Sequence, residues 1–167
     1  MHDRPPPPPT GDDADDPALL ALRDELVRLF RAMRRARGHG NQHVVGPLSL
    51  PQFHLIEPLL EGEPLPVGQL AELAALSAPT ATAMVRKLED QELLERSPDP
   101  ADRRVVRVAL TARGREVALE RQAQLAAWRL GLAATVEPGD REAGARALGA
   151  LADGLERTVD ELSRRTP

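Results

Sequence analysis

Residues 93–114, LLERSPDPADRRVVRVALTARG, decide the fold. Leu93 to Ser97 and Val105 to Leu110 are short β-favouring runs, and the loop between them is rich in Pro and Asp, which predicts a two-stranded hairpin. That loop carries Arg103 and Arg104. Immediately upstream, Ser77 to about Gln91 predicts a helix: Ser77 is the N-cap, Pro79 is tolerated in the first turn, and Ala81, Val85 and Leu88 form the buried side. Its other face shows Thr80, Thr82, Ala83, Arg86 and Lys87. A helix beside a basic-tipped hairpin can place one element in a DNA major groove and an arginine in the neighbouring minor groove. DNA binding is therefore the first functional expectation.

Further out, Val67 to Leu73 predicts a short helix with Leu70 and Leu73 facing inward, so the two helices form a helix-turn-helix and the hairpin is its wing. The run GEPLP at 62–66 is expected to be a loop. Before it, Ser49 and Gln52 have the spacing of a capping box, and a helix is expected through Phe53, Leu55, Ile56, Leu59 and Leu60, kinked by Pro58. From Pro17, Leu19, Leu22, Leu26, Leu29, Phe30 and Met33 recur at three- and four-residue steps and predict a helix over 17–37, ended by Gly38 and Gly40. On the other side, Thr111 caps a helix expected over 112–135, with Val117, Leu125, Trp128 and Leu132 as its buried side. A last helix, split by the EPGD turn, is expected over 137–164 with Leu148, Leu151, Leu155, Val159 and Leu162 at helical spacing.

The expected fold class is mainly α with a small β-hairpin wing: a winged helix-turn-helix core over 48–111, flanked by helical regions 17–47 and 112–167, with a Pro/Asp-rich tail over 1–16. Five consecutive prolines and an acidic run give that tail nothing to bury, so it is expected to be disordered or partly polyproline II. The long flanking helices must cover their apolar stripes. Packing them between two chains gives a twofold homodimer that presents two recognition helices to a palindromic site.

The charge of -4 weighs less against a nucleic-acid partner once it is divided along the chain. Residues 1–16 hold five acids and one base, the remainder is neutral, and residues 77–115 hold eight bases and six acids. Phosphate attraction follows local charge. With no cysteine, disulfides, thiolate metal sites and thiol oxidation sensors are excluded. No run approaches the roughly 18 apolar residues that span a bilayer, and no signal-peptide pattern opens the chain, so no membrane partner and a cytoplasmic location are expected. The sequence offers no phosphate loop and no nucleophile constellation, so no enzyme activity and no cofactor are expected. His39 and His43 are four apart, but the glycines around them argue against the continuous helix that would bring two imidazoles together; no metal is expected.

The stretches LSLPQFHLIEPLLEGEPLPVGQLAELAAL (48–76), TATAMVRKLEDQELLER (80–96) and DPADRRVVRVALTARGRE (99–116) resemble the MarR-type winged-helix transcriptional regulators. The resemblance implies an obligate dimer, DNA binding by recognition helix and wing, and often release by a small-molecule effector bound between the dimer helices and the winged-helix domain, where His54 and Trp128 are the candidate lining; a repressor is the first expectation, although no residue records repressor versus activator. It implies that Arg104 enters the minor groove, that Asp102 braces it, that Arg103 makes a neighbouring contact, and that Ser77, Thr80, Thr82 and Lys87 lie on the DNA side. This chain departs from the family pattern at Ala83, at Arg86 and at Glu92, which stands where a Gly is usual. With Arg86 in place of a frequent acid, the expectation is that it pairs with Asp102 or Asp99, or points at guanine. The alternative to double-stranded DNA as partner is a winged-helix dimer that serves as a protein-interaction module.

Overall fold

The computed structural model describes residues 15–40, 48–99 and 105–164, without the side chains of 37–40, 162 and 163. The tail expectation over 1–14, the side chain of His39 and the whole of His43 lie outside these; Asp15 and Asp16 are described, and Asp16 Oδ1 accepts from the Ala18 N–H at 2.9 Å at the start of the first helix. The chain divides into two compact units, one of residues 1–36 with 129–167 and the other of residues 37–128.

The second unit is the winged helix-turn-helix. Its order is α2 (Leu50–Ile56) with a following 3-10 turn (Glu57–Glu61), β1 (Leu65–Pro66), α3 (Val67–Leu73), α4 (Ala78–Asp90), β2 (Leu94–Pro98), β3 (Val106–Leu110) and the first part of α5 (Ala112–Ala134). The capping box is formed as expected: Ser49 Oγ accepts from the Gln52 backbone N–H at 3.4 Å, and Gln52 Oε1 accepts from the Ser49 N–H at 3.0 Å. Pro58 cannot donate and its ring would meet the carbonyl four residues back. The α-helix accordingly stops at Ile56 and tightens into the 3-10 turn, which closes at Gly62 with a φ of 102°.

The run 62–66 is not wholly loop. Leu65 and Pro66 pair with Val108 and Arg107, so the wing belongs to a three-stranded antiparallel sheet in the order β1-β3-β2. Two residues ending in a proline carry no alternating pattern from which a strand could be read, and a proline limits pairing because it lacks a donor. Within the hairpin, Leu94 faces Leu110 and Pro98 faces Val106.

Phe53, Leu55, Ile56, Leu70, Val85, Leu88, Leu93 and Val108 are almost fully buried, each worth roughly 1.5–3 kcal/mol relative to exposure. Ala81, Val85 and Leu88 are the buried side of α4, as the spacing predicts. Leu73 is not inward-facing: it is 59% exposed, and Ala71 is buried instead. A seven-residue helix offers too few positions for periodicity to fix its inner face.

Among the described residues, the other unit is built from helices alone. α1 (Pro17–Gly40) runs three residues beyond the expected end and takes in both glycines; a glycine costs a helix about 1 kcal/mol and does not forbid it. α6 (Arg141–Ser163) follows a 3-10 turn at Pro138–Asp140, where the EPGD break was expected. Phe30 in α1, Leu132 in α5 and Leu148 and Leu155 in α6 are all more than half exposed. In the part of α5 that belongs to the winged unit, Trp128 is 61% exposed, and the buried residues are Gly114 and Ala118. The expected burial of Trp128 and Leu132 is thus not met within one chain.

The wing and α5 meet at one close joint. The Thr111 hydroxyl donates to Glu92 O at 2.8 Å and accepts from the Gly114 N–H at 2.9 Å, while the Thr111 N–H donates to Leu93 O at 3.2 Å. A Cβ on Gly114 would stand 1.9 Å from Leu93 O. Glu92, just before this joint, holds a φ of 58°, a left-handed conformation that costs a non-glycine residue about 1–2 kcal/mol.

Two predictions follow from the joint. Gly114→Ala should lower unfolding free energy by about 2 kcal/mol or more, the range of overpacking against backbone, whereas Gly68→Ala, with nothing within 4 Å of the added Cβ, should change it by less than about 1 kcal/mol. Denaturant titration checks both. Glu92→Gly should raise stability by up to about 1 kcal/mol, because its exposed pair with Arg113 at 3.4 Å is worth little. Glu92→Ala, which keeps the strain, should give no gain.

Candidate nucleic-acid interface

The turn between α3 and α4 is closed by backbone bonds. Ala74 and Ala75 donate to Leu70 O and Glu72 O at 3.0 Å, and Leu76 donates to Ala71 O at 2.8 Å. Ala75 takes a φ of 52°, which turns the chain toward the N-cap of α4. There Ser77 Oγ accepts from the Thr80 N–H at 3.4 Å and shares a hydrogen bond with Thr80 Oγ1 at 2.7 Å. The Thr82 hydroxyl donates to Ala78 O at 2.8 Å and keeps its lone pairs as acceptors. With Ala81, Val85 and Leu88 buried, helical geometry leaves Ala83, Arg86, Lys87 and Asp90 on the exposed side. Arg86 and Lys87 make no ion pair or hydrogen bond with the described residues.

The wing is held at its base by side chains of which the sequence reading singled out only Asp99, and with a different partner. Arg96 Nε on β2 pairs with Glu89 Oε1 of α4 at 2.6 Å. Asp99 is buried, donates its N–H to Val105 O at 2.9 Å, and receives the Arg107 Nε–H on its carboxylate. Arg107 also donates to Pro64 O at 3.1 Å. Arg115, on the first turn of α5, donates to Leu60 O at 3.0 Å and to Leu59 O at 3.4 Å, serving the carbonyls at the end of the 3-10 turn. Once Leu94 is set opposite Leu110, the register places Ser97 opposite Arg107, two residues from Asp99. That register was the available signal.

The expected residues are therefore distributed unevenly. Ser77, Thr80, Thr82, Arg86 and Lys87 all lie on α4 or its cap, with Thr82 half-buried and the others exposed. Asp102, Arg103 and Arg104 lie outside the described residues. The expected pairing of Arg86 with Asp99 does not form: that carboxylate is engaged by Arg107 on the neighbouring strand, and Arg86 stays exposed.

His54 and Trp128 are not brought into one cavity. His54 packs edge-on to Phe53, with ring centroids 6.1 Å apart, and lines an open cleft of about 690 Å³ with Glu57, Pro58, Gln69 and Leu73. Trp128 is not among the lining residues. Among the described residues no group of three or more His, Asp or Glu side chains could hold a metal ion, and no helix is long and apolar enough to cross a membrane.

Comparison with known proteins agrees with this geometry. Residues 48–106 match the model of the MarR family. The chain is 37% identical over 99 residues to the uncharacterized HTH-type transcriptional regulator YsmB of Bacillus subtilis, a match that takes in 58% of this chain and 66%, just under two thirds, of that regulator. A probable transcriptional regulator from Pseudomonas aeruginosa is similar at a TM-score of 0.60 and 28% identity, over 82% of this chain and 98% of that one. FabT of Streptococcus pneumoniae, solved in complex with DNA, is similar at a TM-score of 0.65, over 82% of this chain and 96% of that one, and at 19% identity shows the shared fold. A helix-turn-helix braced by a three-stranded wing thus carries the sequence pattern of the MarR family over residues 48–106, and it is to that family's transcriptional regulators that this chain is similar.

Proposed function

We propose that the protein is a DNA-binding transcription regulator that acts as a homodimer on a palindromic operator. The observation that carries this reading is the outer face of α4, where Arg86 and Lys87 stand exposed beside the Ser77, Thr80 and Thr82 hydroxyls at the helix start. Hydroxyls and backbone N–H groups at a helix N-terminus suit phosphate oxygens. An arginine one or two turns further along reaches base edges, where it reads guanine through two parallel hydrogen bonds. The wing arginine Arg104, with Arg103 beside it and Asp102 as its brace, supplies the minor-groove contact. The FabT complex with DNA supports the same use of the fold.

The exposed apolar residues of the long helices support the dimer. Phe30 and Met33 on α1, Leu132 on α5, and Leu148, Leu155 and Val159 on α6 recur at helical spacing and are 43–61% exposed. A second copy covers such stripes and sets two recognition helices one DNA turn apart. A repressor role and release by a small-molecule effector extend the proposal on the family likeness alone.

The test is a binding titration against genomic fragments at several salt concentrations, in which log K should fall linearly with log salt. Absence of any sequence-preferring binding at low salt would favour a protein-interaction module instead. Arg104→Ala should weaken specific binding by roughly tenfold or more and lower the salt slope by about one; unchanged affinity and slope would remove the wing from the interface. Arg86→Ala should flatten preference at one base position of each half-site, a discrimination of roughly 1–3 kcal/mol. Weaker binding with the preference intact would make Arg86 a phosphate contact.

A further inference from the structure

We propose that Arg107 is a positioning residue for DNA binding: through Asp99 it fixes the angle of the wing, and it makes no DNA contact of its own. This rests on the reading of the wing as a groove-binding element. Three segments meet at one guanidinium. Arg107 lies in β3, its Nε–H goes to the buried Asp99 carboxylate where β2 ends and the wing loop begins, and a terminal nitrogen donates to Pro64 O, the residue before β1. The Asp99 N–H donates to Val105 O, which carries the hairpin pairing one residue beyond Pro98 and Val106.

The need for such a clamp follows from the sheet. A hairpin pivots at its base unless a further element holds it, and here the third strand has only two residues, Leu65 opposite Val108 and Pro66 opposite Arg107. Pro66 has no N–H to give to the ladder. The Arg107 side chain supplies a bond to that edge which the backbone lacks. A guanidinium is planar with its donors in a fixed fork, so bonds to Asp99 and Pro64 together define an angle that a single point charge would leave free. Asp99 is 6% exposed, so its charge is held by protein groups and is not displayed at the surface.

The experiment turns on a sign. Asp99→Asn keeps the shape and removes a negative charge from the DNA-facing end of the domain, so simple electrostatics predicts equal or tighter binding; positioning predicts specific binding weaker by about tenfold, the scale of one lost groove contact. Arg107→Lys keeps the charge and loses the fork, so a phosphate contact would survive it while positioning would not. Each variant is also combined with Arg104→Ala in the full-length protein. Positioning predicts that once Arg104 is gone, Asp99→Asn and Arg107→Lys each cost less than about twofold, because the losses are coupled. Amide hydrogen exchange of 94–110 should accelerate in both variants while that of α4 stays unchanged.

Equal or tighter binding by Asp99→Asn, full retention by Arg107→Lys, or losses additive with Arg104→Ala would overturn the proposal. Faster exchange at the hairpin together with no DNA binding by the wild type would instead strike the functional reading and leave the clamp standing. Unchanged exchange would refute the clamp on its own.

Discussion

The contact between Gly114 and the Leu93 carbonyl is the constraint on which the winged domain depends. Leu93 ends the turn after α4 and begins the wing, and its side chain is buried in the core formed by α2, α3 and α4. The first turn of α5 lies directly on its backbone, at a distance only a glycine allows. Thr111 bonds both sides of the joint. The end of the recognition helix, the start of the wing and the start of the long C-terminal helix are therefore fixed by a few atoms around one peptide.

Around that joint, charge is divided between holding the fold and facing outward. Four of the six described bases in 77–115 make protein contacts: Arg96 to Glu89, Arg107 to Asp99 and Pro64 O, Arg113 to Glu92, and Arg115 to two carbonyls. Arg86 and Lys87 are the described bases left on the outer face of α4. This is how a segment with nearly balanced charge can present a locally positive surface: three of its five described acids, Glu89, Glu92 and Asp99, bind its own arginines. Overall charge says little about a partner for the same reason, since the acidic first sixteen residues account for the whole of it.

Most of the winged helix-turn-helix could be read from the sequence because its signals are local. The Ser49 capping box, the Ser77 cap, the 3.6-residue spacing of Ala81, Val85 and Leu88, and the hairpin around its Pro/Asp loop each depend on residues close in the chain. The features that were missed depend on distant ones. β1 is too short to show a pattern and exists only because Val108 and Arg107 lie beside it. Leu73 and Ala71 exchange burial because tertiary packing, not periodicity, orients a two-turn helix. The Asp99–Arg107–Pro64 clamp spans 43 residues in sequence and becomes readable only when the strand register is known. The wing residues Asp102, Arg103 and Arg104 rest on the family pattern. Trp128 and Leu132 have the spacing of a buried face but are exposed in a single chain, 61% and 55%, because spacing marks an apolar stripe without saying what covers it.

Hydroxyl-radical footprinting of the full-length protein on the tightest-binding duplex selected from a random pool tests the central claim most directly. Two recognition helices and two wings on a twofold axis predict a palindromic selected site, with protections arranged symmetrically about its centre, half-sites about one helical turn apart, and minor-groove shielding at the outer flank of each half-site. A footprint that is asymmetric, lacks the flanking minor-groove protection, or moves freely with sequence would contradict the account.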